Sequence, residues 1–314
     1  MLYRHLGNSG LEVSEVGMGT NNFGGRMNYR QTQAVVHASL DCGINLFDTA
    51  DVYSMGVSER YIGRALAGGL RHKAVVATKF GMKWADGPHG LGGSRKRITD
   101  GVEGSLARLQ TDYIDLFQMH RWDSNTPIEE TLRALDDLVR AGKIRYIGCS
   151  NFTGWQIVEA AWTAKVGGLT PFISAQPEYS LLVRDIEAEV LPACEKYGLG
   201  ILPYFPLAMG FLTGKYKRGT PPPPDTRLGK VPAAAAQRRM TEEAFDKIER
   251  LEKFCKEHGH GVQELAFAWL LGRKAVSSVI AGASTPDQVA QNAKASDWRL
   301  SPDDMKAVEA ALKG

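Results

Sequence analysis

Cysteine is scarce in this chain, with four among 314 residues. Cys42, Cys149, Cys194 and Cys255 lie far apart and form no CxxC pair, which argues against a zinc ribbon or a redox motif and for reduced, buried thiols. Long apolar runs are missing as well. The longest, near Ile201 to Leu212, is short and broken by prolines, and the opening MLYRHLGNSG has no basic segment leading into an apolar one. A soluble, cytoplasmic protein with no membrane partner is expected. Blocks of one charge sign are absent: 38 basic and 35 acidic residues are dispersed and leave a net +3. Nothing therefore calls for nucleic acid, while a phosphorylated small ligand stays compatible. No strand followed by GxGxxG and a helix occurs, against a Rossmann site, and no HExxH-like pair occurs, so no metal is expected.

What the chain does contain is a repeating alternation. YRHLGNSGLEVS places two extended pieces around Gly7 to Gly10, a hairpin composition. Short apolar runs then recur at Val16 to Gly19, Leu46 to Phe47, Ala74 to Thr78, Tyr113 to Met119, Ile144 to Gly148, Phe172 to Ala175, Leu199 to Pro203 and Ser277 to Ile280, separated by helix-compatible segments. One helix start is read at Ile128, with Thr126 as cap, Pro127 at the first position and Glu129 completing a capping box. Continuous apolar strands alternating with helices fit an all-parallel sheet covered on its outer face. An α/β fold closing into a (β/α)8 TIM barrel with an N-terminal β-hairpin, one domain over 1–314, is the economical topology. Two stretches break the rhythm: Gly81 to Arg95, rich in glycine, and Phe205 to about Ala236, which holds PPPP at Pro221 to Pro224. Both follow strand ends, so both are expected as extended loops over the barrel mouth. Gly90, Gly92 and Gly93 are read as making the first of them flexible.

Polar residues stand where apolar strands stop. GINLFDTADVY puts Asp48 at a strand end with Tyr53 five residues on, AVVATK ends on Lys79, and YIDLFQMH ends on His120. Each alone has an ordinary reading, as a packing residue, a structural ion pair or a core histidine. Together, at the carboxyl ends of barrel strands, an acid, a phenol, an amine and an imidazole form a candidate catalytic site. Trp84 and Trp122, each just beyond a strand end, are candidate walls of a substrate pocket with Asn21, Tyr53 and His120. Trp155 reads as packing.

The stretches GINLFDTADVYSMGVSERYIGRAL, ATKFG and IRYIGCSNF, in this order and spacing, resemble signatures of the aldo-keto reductase superfamily over nearly the whole chain. The long loop after the seventh strand and VIAGASTPDQVAQN are similar to bacterial reductases near the potassium-channel beta subunits. The resemblance implies Asp48, Tyr53, Lys79 and His120 as the catalytic four. A phenol with a pKa near about 10 is a poor acid alone, and a neighbouring ammonium held by a carboxylate favours its ionised form. It also implies a cofactor site from Thr20, Asn21 and Asp48, with Ser150, Asn151 and Gln176 on the carboxamide and Tyr204 on the nicotinamide ring. Pro206, Leu207, Gly210, Leu212 and Lys215 would cover the pyrophosphate, and Gly282, Ser284, Gln288, Gln291 and Asn292 would hold the adenosine end. Ser284 stands where many relatives carry an arginine for the 2′-phosphate, and Arg227 is the candidate substitute. NADP (NADPH) is the expected cofactor, NAD a possible one, and a small-molecule carbonyl compound the expected substrate. The oligomeric state stays open. Two other readings stand beside carbonyl reduction: a cofactor-binding regulatory subunit like the channel beta proteins, and an NAD(P)-dependent sugar or alcohol dehydrogenase. By resemblance His120 favours an enzyme, since channel subunits commonly carry asparagine there.

Overall fold

A computed structural model of the chain describes residues 1–224 and 226–313. Tyr3–His5 (β1) and Glu12–Ser14 (β2) pair antiparallel as the expected hairpin, Tyr3 opposite Ser14. Gly7 turns it with φ +58, and a Cβ there would lie 2.5 Å from the carbonyl oxygens of Gly198 and Ile173, so only glycine lets the turn sit this close to the barrel.

Eight strands follow in one parallel sheet: Val16–Gly19 (β3), Leu46–Asp48 (β4), Val75–Phe80 (β5), Ile114–Met119 (β6), Ile144–Ser150 (β7), Phe172–Gln176 (β8), Gly200–Ile201 (β9) and Val279–Gly282 (β10). β10 pairs with β3, the rest pair in chain order, and bridges Ile201–Val276 and Tyr204–Ile280 join the two ends, giving the (β/α)8 barrel. The helices are Tyr29–Asp41 (α1), Val57–Ala65 (α2), Arg95–Leu109 (α3), Ile128–Arg140 (α4), Gly154–Gly167 (α5), Val190–Tyr197 (α6), Ala233–Gln237 (α7), Glu242–Glu257 (α8), Val262–Leu271 (α9), Pro286–Ala295 (α10) and Pro302–Lys313 (α11). Among the described residues no helix is long and apolar enough to cross a membrane.

Strand periodicity divides the apolar residues into two cores. Leu46, Val75, Ala77, Leu116, Leu202 and Ile280 point inward and fill the barrel, and Leu6 and Val13 of the hairpin pack onto them and plug its amino end. The alternate residues, such as Phe47, Val76, Phe117 and Ile147, join the helix faces in the larger outer core. The mouth at the carboxyl ends is thus left to polar groups.

Local expectations needed three corrections. β9 is shorter than Leu199 to Pro203, because Pro203 has no N–H to extend the ladder. Thr126 does not cap α4: its hydroxyl donates to Asp123 Oδ2 at 2.7 Å, and extended Pro127 occupies the cap position without a side-chain bond. A charged acceptor nearby outcompetes the weaker capping bond. The glycine-rich loop is tethered, since Gly93 N–H donates to Asp123 Oδ2 at 2.8 Å and Gly92, at φ +93, leaves room for that carboxylate.

Candidate active site

The site begins with strand register. Asp48 on β4 lies opposite Ala77 on β5, and Lys79, two residues further on the same face, reaches back to it. Lys79 Nζ donates to Asp48 Oδ1 and to Thr49 O at 2.7 and 2.8 Å, with Lys79 fully buried. Asp48 Oδ1 also accepts from Gln176 Nε2 at 2.7 Å and Gln118 Nε2 at 3.4 Å. A buried ion pair survives only with such added bonds, because removing either partner strands a charge. Burial pulls the Lys79 pKa down, but the Asp48 charge, with hydrogen bonding to Asp48 and Tyr53, more than offsets it, and the net direction is up. Lys79 is an ammonium.

Tyr53 sits above that ammonium, with Nζ 5.2 Å from its ring centre. Three successive left-handed residues follow it, Ser54, Met55 and Gly56, at φ 49, 52 and 78. Non-glycine residues held there cost about 1 kcal/mol or more each, so the turn that aims Tyr53 inward is held against a local preference. Burial raises the Tyr53 pKa, and the Lys79 charge opposes this without reversing it. The expectation of a lowered value is thus corrected: desolvation dominates, and the phenol keeps its proton at neutral pH. His120 meets Tyr53 edge-on, ring centres 6.0 Å apart. Burial, then the charges of Lys79 and Arg121, lower its pKa to about 3, so the imidazole is neutral and donates from one nitrogen.

Asp48, Tyr53 and His120 line a cavity of about 310 Å³ with Thr20, Asn21, Ser150, Asn151, Gln176, Tyr204 and Arg227. Asn151, at φ 57, is locked: its Nδ2 donates to His120 O and Ser150 Oγ, and its Oδ1 accepts from Tyr204 at 2.8 Å. Ser150 Oγ donates to Gln176 O at 2.8 Å. A cleft of about 520 Å³ adjoins this cavity, lined by Pro206, Leu207, Gly210, Lys215, Arg227, Gly282, Ser284, Gln288, Gln291 and Asn292. Gly210, at φ +91, admits Lys215, whose Nζ would be 2.7 Å from a Cβ there. Thr285 caps α10 by accepting from Gln288 N, and Pro286 opens the helix, as its sequence suggests. Gln288 Oε1 accepts from Ser284 N at 2.8 Å, so this side chain closes the helix end itself.

Three candidates lie elsewhere. Trp84 stacks under Arg108, 4.7 Å away, and Trp122 packs edge-on against Phe152 and Trp155; neither lines the Tyr53 cavity. Leu212 is fully buried and borders no part of the cleft, because its side chain is needed by the outer core. Trp155, read as packing, is 56% exposed. Sequence reasoning missed Gln118, Arg26, Asn22 and Gln263. Gln118 carried a signal, an amide inside the apolar run YIDLFQM; the others are loop and helix residues joined to the cleft only by folding.

The lining of the large cleft holds Arg26, Lys215 and Arg227, and no carboxylate among the described residues. Burial and then the Arg26 charge lower the Arg227 pKa. A donor set of this kind fits a dinucleotide carrying several phosphate charges.

Residues 15–313 match the profile described as the Aldo/keto reductase family. The chain is 38% identical to a probable voltage-gated potassium channel subunit beta of Oryza sativa subsp. japonica, over 100% of this chain and 97% of that protein. It is 36% identical to the uncharacterized oxidoreductase YrpG of Bacillus subtilis (strain 168), again over 100% and 97%. With a barrel of this topology and a match over nearly its whole length, the chain belongs to the aldo/keto reductase family of oxidoreductases.

Proposed function

We propose that the protein reduces an aldehyde or ketone to an alcohol, with NADPH as hydride donor and Tyr53 as general acid. The observation that carries this reading is the buried Lys79 ammonium, held by Asp48 beneath the Tyr53 ring. When bound, NADPH supplies the hydride. A carbonyl oxygen seated between Tyr53 and His120 accepts a hydrogen bond from the neutral imidazole, which orients it. As charge grows on that oxygen, the Tyr53 hydroxyl delivers its proton, and Lys79 stabilises the phenolate left behind. The Asn151–Ser150–Gln176 chain of bonds is suited to a carboxamide at the cavity floor. NADPH is preferred over NADH because a free ribose hydroxyl is usually met by a carboxylate and a 2′-phosphate by an arginine, and Arg227 stands in the cleft.

Stopped-flow oxidation of bound NADPH by 4-nitrobenzaldehyde tests the reading. Wild type is expected to turn over, and Tyr53→Phe to keep its cofactor affinity while losing about a hundredfold or more in reduction rate. Equal rates in the two would remove Tyr53 as the acid. The relatives named as channel subunits raise a second reading, a cofactor-holding regulatory subunit. Wild-type protein that holds NADPH without oxidising it would favour that one.

A further inference from the structure

A third concavity opens at the mouth beside the Tyr53 cavity. It has a volume of about 280 Å³ and lies between the loop after β5 and the loop after β6, where Gly81, Met82, Lys83, Arg121, Trp122 and Asp123 border it. The chain passes from one cavity to the other in a single peptide unit, since His120 lines the first and Arg121 the second. Trp122 forms a fixed wall, with its ring 5.2 Å from Phe152 and 5.4 Å from Trp155.

The charges around this concavity are equal in number, Lys83 and Arg121 against Asp86 and Asp123, but they are not all paired. Asp123 is fully engaged by the Gly93 and Asn125 N–H groups and the Thr126 hydroxyl, at 2.8, 2.9 and 2.7 Å. Lys83 pairs with Asp86 at 2.6 Å, and Glu178, below Tyr204, pairs with Arg239 at the same distance. Arg121 is exposed and makes no ion pair among the described residues. Its charge nevertheless bears on His120, and on Tyr204 across the mouth. A guanidinium is a planar fork that takes a carboxylate by two parallel bonds, and one left unpaired next to a reacting carbonyl selects substrates that bring an anion.

We propose that this concavity is a subsite for an anionic group of the substrate, that Arg121 holds that group, and that the enzyme favours aldehydes bearing a carboxylate. The inference rests on the carbonyl-reductase reading and names its substrate class. The carbonyl end sits at Tyr53 and His120, while the carboxylate end reaches past His120 to Arg121, along the Trp122 wall.

4-Carboxybenzaldehyde and 4-nitrobenzaldehyde have nearly the same shape but differ in charge and in carbonyl reactivity; the reactivity cancels when their kcat/KM ratio is compared between wild type and variant, so the change in that ratio isolates the anion. That ratio is expected to fall at least about tenfold in Arg121→Gln and to recover in part in Arg121→Lys, as loss of a charged hydrogen bond requires. In wild type it should also fall as sodium chloride is raised, which a merely structural role would not produce. A ratio indifferent to both substitutions overturns the proposal. Should neither aldehyde be reduced, the reductase reading fails by itself, and binding of 4-carboxybenzyl alcohol, followed by tryptophan fluorescence, decides the subsite. Salt-sensitive binding weakened by Arg121→Gln supports it; binding that is absent or indifferent to Arg121 overturns it.

Discussion

Lys79, Tyr53 and His120 show how environment assigns roles to three titratable groups. Lys79 is fully buried while Tyr53 and His120 are half-buried at the cavity wall, yet Lys79 stays charged because Asp48 faces it, Tyr53 stays protonated because burial outweighs Lys79, and His120 stays neutral because burial and two cations act in the same direction. For His120 this has a thermodynamic consequence. Its folded pKa of about 3 lies below the 6.5 of an exposed imidazole, so between these values the unfolded chain binds a proton that the native state refuses. Stability associated with the neutral ring is complete above 6.5 and is lost as pH falls toward 3. Urea unfolding at about pH 7 and about pH 4.5 should therefore show wild type losing on the order of 2 kcal/mol more than His120→Asn. An equal loss in both would mean that another group carries the acid sensitivity. The four polar residues were legible because each stands at or just beyond the end of an apolar run. Trp84 and Trp122 stand outside the Tyr53 cavity because a tryptophan beyond a strand end turns toward whichever partner folding supplies, and those partners, Arg108, Phe152 and Trp155, come from other elements.

At the scale of elements, the barrel strands hold the chemistry while two loops shape access to it. The 81–95 loop is pinned to the loop after β6 through Asp123, whose carboxylate takes N–H groups of Gly93 and Asn125 and the Thr126 hydroxyl. Burial alone would raise the Asp123 pKa; these bonds reverse the effect and lower it, so the pin is stronger in the ionised state. Asp123→Ala should raise amide exchange in this loop about tenfold or more while α4 and β6 keep their protection, measured by hydrogen–deuterium exchange. Unchanged exchange around Gly93 would show that the loop is held by other contacts. The strap from Phe205 onward is fastened differently: Arg218 reaches Glu242, Asp246 and Glu249 on α8, an exposed network that salt weakens. Strand order and helix alternation were readable from apolar runs. The tethers were not, because a glycine-rich loop and an aspartate thirty residues away carry no shared local pattern.

The whole molecule is a barrel plugged at one end and polar at the other. Leu6 and Val13 close the amino end against Leu46, Leu116 and Leu202, so the hairpin is part of the interior core. Leu6→Ala should cost about 2–5 kcal/mol and shift the entire urea transition, because a cavity there loosens every strand it touches. A loss confined to the hairpin, with the barrel midpoint unmoved, would show that the plug is dispensable. By itself the sequence determined the alternation of strands and helices, the parallel sheet, the four polar residues at or just beyond strand ends and the resemblance to a family, since these rest on periodicity and on order along the chain. The tertiary structure alone decided that Tyr53 keeps its proton, that Arg26 and Arg227 share one cleft, and that Arg121 stands unpaired among the described residues beside His120. Those facts depend on desolvation and on distances between residues remote in sequence, and both come into being only when the barrel closes.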